Sequence, residues 1–137
     1  MEPVVKYINP PAMMQSRAFS QAALVTQPAG MLYIGAQTPT DGTGAIVGRG
    51  DIGAQTEQVL RNIDECLTAA NAKREDLVSW TINVLEGQDV MAPANIGMRW
   101  LGERTHPPLN SVVFVSRLGH PDWLLSIDAI AALPQRG

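Results

Sequence analysis

The chain has 137 residues, 45% apolar and 5% aromatic, with a formal net charge of −3. That length suits one domain whose core is mostly aliphatic. The acidic balance, with Lys6 and Lys73 as the only lysines, argues against a phosphate-tracking nucleic-acid surface, and the single Cys66 excludes an intrachain disulfide.

The opening, Met1 to Lys6, has neither a basic region nor a long apolar run. No segment approaches the roughly 18 apolar residues of a membrane helix. The expectation is a cytoplasmic protein with no membrane and no nucleic-acid partner. Val4 to Ile8 predicts a short edge strand, stopped by Pro10-Pro11. Residues 1–14 form a lead-in, which includes Met13-Met14, and the core spans about 15–133. Ala18 to Thr26 and Met31 to Gln37 are expected to pair around Gln27-Pro28-Ala29-Gly30, because proline presets a turn's φ and glycine relaxes its exit. Residues 39–50 are a Gly- and Thr-rich excursion with a candidate short strand at Ala45 to Val47. Its glycines lack the lysine of a phosphate loop.

A helix follows. Val59, Leu60, Ile63, Cys66, Leu67 and Ala70 make one apolar stripe, while Glu57, Arg61 and Glu65 share another face. Asp51 suits its N-cap and Asn71 a left-handed end. Leu77 to Leu85 alternates as a strand, with Val78, Trp80, Ile82 and Val84 on one face and Ser79, Thr81 and Asn83 on the other. A second helix is expected from Val90 to about Glu103, capped by Asp89, tolerating Pro93 in its first turn and burying Val90, Ala94, Met98 and Leu101. His106-Pro107-Pro108 forces an extended exit. Asn110 to Arg117 and Trp123 to Leu133 complete the chain as strands around Leu118-Gly119-His120-Pro121-Asp122. This order predicts an α+β domain with both helices on one face of a mixed sheet. Val112-Val113-Phe114-Val115 is apolar on both faces, so a second cover is needed there.

Several separated motifs carry a family resemblance. They are Gly35-Ala36-Gln37, the helix opening from Gly50 to Ile63, Asn95, Pro108, Arg117-Leu118 and Ile127-Asp128-Ala129-Ile130-Ala131. Over about residues 15 to 133 the chain resembles the reactive-intermediate deaminase family (RidA, also called YjgF). The resemblance implies a single RidA-like domain with a chorismate-mutase-like fold. It also implies a homotrimer whose three sheets form a central barrel, with small-molecule clefts between subunits. Family members hydrolyse 2-imino or 2-amino-enoic acids to 2-keto acids and ammonia, and no cofactor or metal is implied. Two isolated histidines and one helix cysteine make no metal site of their own.

The chain departs from the deaminase pattern at its charged positions. Asn110 stands where those deaminases carry an arginine that grips the substrate carboxylate, and Ser126 where they carry a glutamate. Losing such a bidentate contact costs about 2–5 kcal/mol of binding. Carried over position by position, Asn110, Val112, Phe19, Ala36 and Asn95 are the expected binding residues. Val112 replaces a residue that is often cysteine, Phe19 a tyrosine and Ala36 a glycine. Ser126 and Asp128 are the candidate catalytic residues, with Ser126 expected to face the Asn110 cleft.

Each has a plainer reading. Asn110 can simply satisfy backbone groups at a strand start, Ser126 can be a filler, and Asp128 a structural ion-pair member. No nearby acid and histidine mark Ser126 as a nucleophile. His120 reads as a turn residue, although some relatives of the family place His-Pro near the cleft. His106 reads as structural, Cys66 as core, and Trp100 and Trp123 as packing or interface residues. Two functions are expected. One is a hydrolase of an imine, enamine or related C–N bond in a weakly charged metabolite. The other is a non-catalytic binding or regulatory trimer using the same cleft. The older naming of relatives as translation inhibitors or endoribonucleases finds no support in an acidic chain without a basic patch.

Overall fold

In the computed structural model, residues 4–135 are described. The elements run β1 (Val5–Ile8), β2 (Ala22–Val25), β3 (Gly30–Gln37), α1 (Ile52–Ala69), β4 (Leu77–Leu85), α2 (Met91–Leu101), β5 (Leu109–Val115) and β6 (Leu125–Leu133). The main sheet has the strand order β3-β6-β4-β5. β6 pairs antiparallel with β3 and β4, while β4 and β5 are parallel and joined through α2. A parallel pair needs a crossover of this kind.

β2 does not pair with β3, contrary to the hairpin expected from Pro28 and Gly30. β2 instead forms a separate two-stranded ribbon with β1, with Val5 opposite Val25. Thr26 N–H still donates to Val4, whereas Ala29 N–H already donates to Leu133 at the end of β6. Gln27, at φ 46°, bends the chain between the two sheets. A bend signal gives the place of a direction change without giving the strand's next partner.

α1 forms where the stripe predicts. The Asp51 carboxylate accepts from Ala54 N–H at its start, and Asn71 takes φ 56° just beyond its end. Val59, Leu60, Ile63 and Leu67 are buried against Ile34, Ile82, Val84, Leu125, Ile127 and Ala129, all within one apolar core. Gln55, fully buried, is a polar clamp in this layer. Its amide nitrogen donates to the carbonyls of Gly48 and Asp122, and its oxygen accepts from Leu124 N–H. Gly48 sits at φ +77°, and an added Cβ would come within 2.7 Å of Ala54 Cβ. Close approach and left-handed backbone together call for glycine there.

α2 is shorter than expected and turned differently. Asp89 accepts from Met91 N–H, and the helix ends at Gly102, φ 68°. Pro93, Gly97 and Leu101 are its buried residues, whereas Ala94 and Met98 are exposed. Gly97 lies over Trp80, where an added Cβ would make an ordinary 3.4 Å contact with the indole. The expected Ala94–Met98 side thus faces out of the core. Trp100 stacks on Trp80 at 5.9 Å between ring centroids and donates its N–H to Asp64, which Arg74 also grips through two hydrogen bonds.

Candidate functional site: a cavity between α2 and β5

Strand register decides which side chains meet. Asn110, Val112 and Phe114 lie opposite Trp80, Ile82 and Val84, so they share the face that carries the helices. α2 covers Trp80 but leaves β5, the edge strand, partly open. The gap is a cavity of about 100 Å³, with Trp80, Ile82, Met98, Asn110, Val112 and Ala18 among its lining residues. Ala18 is held there by its neighbour Ser20, whose hydroxyl donates to Pro107 and whose N–H donates to Pro108.

No side chain lining this cavity is titratable. Its main polar group is Asn110, whose Oδ1 is buried and has no hydrogen-bond partner among the described residues. An unmet buried acceptor of this kind costs about 1–3 kcal/mol, so it is a site for an incoming donor or a strained amide held for one.

Two of the expected binding residues, Asn110 and Val112, therefore come together. The others lie apart within one chain. Phe19 is partly buried but does not line the cavity, where its neighbour Ala18 stands. Asn95 is exposed and borders a separate depression with Ala92 and Arg99, while Ala94 reaches the cavity. Ala36 is exposed on β3, the far edge of the sheet from β5. Three strand spacings, about 14 Å, separate those edges.

Ser126 and Asp128 occupy the opposite face of the sheet. Ser126 lies across from Asn83, whose amide is 3.4 Å from its hydroxyl, and Asp128 lies across from Thr81. Ser111 flanks Thr81 on its other side, so Ser111, Thr81 and Asp128 form a polar row across three strands. The expectation that Ser126 faces the Asn110 cleft thus fails inside one chain. Alternation correctly grouped residues within each strand, but only pairing relates the faces of two strands. Trp80, Gly97 and Ala94 escaped sequence reasoning because their strand and helix stripes read as core. Thr81 and Asn83 had a signal, their polar parity, that pairing with β6 turns into a cluster.

Among the described residues, no group of three His, Cys, Asp or Glu side chains could hold a metal ion, and no helix is long and apolar enough to cross a membrane. A family profile described as Endoribonuclease L-PSP matches residues 11–133. The chain belongs to the RidA (YjgF) family. A RutC family protein of Pyrococcus horikoshii is 39% identical over 101 residues, covering 73% of this chain and 77% of the relative. The crystal structure of YyfB, a Rid-family protein of unknown function from Yersinia pestis, is 32% identical with a TM-score of 0.83, covering 96% of this chain and all of that one. The Rid-family protein YyfA from the same organism is 30% identical with a TM-score of 0.70. The mixed sheet with two helices on one face is accordingly the RidA-family fold.

Proposed function

We propose that this RidA-family chain works as a homotrimer that hydrolyses the C–N bond of a small, uncharged imine or enamine in a cleft between subunits. The observation that carries this reading is the separation of the polar residues onto two faces of the sheet. The Asn110 cavity opens beside the edge strand, while Ser126 and Asp128 lie on the face that the helices leave uncovered. On that same face Tyr33 and Val113 are exposed apolar side chains. A second subunit would cover that apolar surface and bring the Ser126 face of one chain against the Asn110 edge of another.

In such a cleft the chemistry is simple to distribute. The apolar walls take the body of the substrate, and the Asn110 amide orients a neutral polar group. Asp128 accepts a proton from water as its oxygen adds to the imine carbon and passes it to nitrogen. It then relays the hydroxyl proton of the carbinolamine to nitrogen as the C–N bond breaks and the carbonyl forms. Ser126 holds the water or the leaving nitrogen by a hydrogen bond. The products are a carbonyl compound and ammonia or an amine. Without a cation at position 110, anionic 2-imino acids bind poorly.

The test compares two substrates. One is an uncharged imine released by a flavin amine oxidase from a primary amine, and the other is 2-iminopropanoate released by an amino-acid oxidase. The uncharged imine should be hydrolysed faster with the protein present, and Asp128→Asn should abolish that gain. The 2-imino acid should respond only in Asn110→Arg with Ser126→Glu. Acceleration of neither substrate by the natural chain would overturn the hydrolase reading. A non-catalytic binding trimer would then stand, favoured by the lack of any acid or base in the cavity wall.

A further inference from the structure

A second pocket lies at the carboxyl ends of β4 and β5, with Leu85, Ser116, Arg117, His120 and Trp123 among its walls and a volume of about 470 Å³. It starts six residues along the strand direction from Asn110, about 20 Å at 3.3 Å per residue, and is separate from the α2 cavity.

Its polar groups are nearly all donors. Arg117 is exposed and makes no ion pair or side-chain hydrogen bond among the described residues. His120 Nδ1 accepts from Asp122 N–H at 3.0 Å, which leaves Nε2 to carry the proton of the neutral ring. The Ser116 hydroxyl adds another donor. No acidic side chain lines the pocket, and the loop carboxylate of Asp122 is in an ion pair with Arg49.

The apolar wall is equally defined. The Trp123 ring packs 5.7 Å from the His120 ring, and its own N–H is buried without an acceptor. Gly119 makes room for it, because a Cβ there would lie 2.9 Å from the indole. A cation, two neutral donors and an aromatic wall match one ligand chemistry, a carboxylate carried on a small apolar body.

We infer that this pocket binds a small organic carboxylate, with Arg117 taking the acid group and Trp123 and Leu85 holding the apolar part. The inference is independent of the Asn110 cavity. Titrating phenylacetate into the isotope-labelled full chain tests it through the three tryptophan indole N–H signals, with Trp123→Phe assigning the relevant one.

Phenylacetate should shift the Trp123 signal saturably, and uncharged phenylacetamide should bind about tenfold more weakly or worse. Arg117→Gln should weaken phenylacetate by a similar factor, Gly119→Ala should also weaken it by displacing the ring, and Asn110→Ala should change nothing. Equal binding of acid and amide would overturn the inference, as would unchanged binding in Arg117→Gln. Loss of the native assembly in Arg117→Gln, read by light scattering, would show the guanidinium spent on a neighbouring subunit and would also overturn it.

Discussion

Single polar side chains carry much of this structure, and Asn110 and Gln55 show the two ways they do so. Asn110 has an unmet buried acceptor, which marks a position held for something else. Gln55 is equally polar and fully satisfied, joining α1 to the loop before it and to the start of β6. Gln55→Ala leaves the buried Leu124 N–H and the Asp122 carbonyl without partners, while the Gly48 carbonyl keeps Asp51 N–H, so the unfolding free energy should fall by about 2 kcal/mol or more in urea denaturation. A loss under 1 kcal/mol would mean that water takes over these bonds. Tyr7 offers a test at alkaline pH. Its hydroxyl donates to Leu77 and accepts from Arg104, and burial raises its pKa above 10.0, partly offset by that arginine. The fold favours the protonated phenol, so its contribution is complete below pH 10 and is lost as pH rises through the higher folded value. Tyr7→Phe should lower stability by about 1 kcal/mol at neutral pH, and the gap should narrow above pH 10 in chemical denaturation series.

At the scale of elements, α1 and β4 follow from pattern alone. The α1 stripe and its Asp51 cap are local features, and Asp51→Ala should cost about 1 kcal/mol, seen as a lower urea midpoint with unchanged slope. β4 spans Leu77–Leu85 with the predicted faces from Ser79 onward, since period-two alternation needs no knowledge of partners. A register shift before Ser79 puts Leu77 rather than Val78 in the core cluster. α2 and β2 were less legible. Val90, Ala94 and Met98 satisfy a helical stripe, yet Pro93, Gly97 and Leu101 are the residues that α2 buries. β2 carries no mark distinguishing β1 from β3 as its partner.

For the whole molecule, one chain leaves surface that a stable protein would cover. Tyr33 is 72% exposed and Phe114 53%, and β5 is an apolar edge strand. Free apolar edges pair or aggregate unless something covers them. Light scattering should give about three times the 14.7 kDa chain mass. Tyr33→Glu with Phe114→Glu should yield monomers with unchanged helical circular dichroism, because neither side chain belongs to the chain's own core. A wild-type monomer at micromolar concentration would remove the inter-subunit cleft and the function placed in it.

The sequence by itself determined the family, the α+β class, both helices and the central strand, because capping, stripe and alternation are local and survive without knowledge of neighbours. It also placed Asn110 beside Val112, since residues two apart on a strand share a face. Tertiary structure alone decided that Ser126 and Asp128 lie on the other face, that Ala18 and Ala94 rather than Phe19 and Asn95 line the cavity, and that β2 joins β1. Those outcomes depend on register and on helix rotation against the sheet. They are relations between segments distant along the chain, and no local pattern encodes which segments meet.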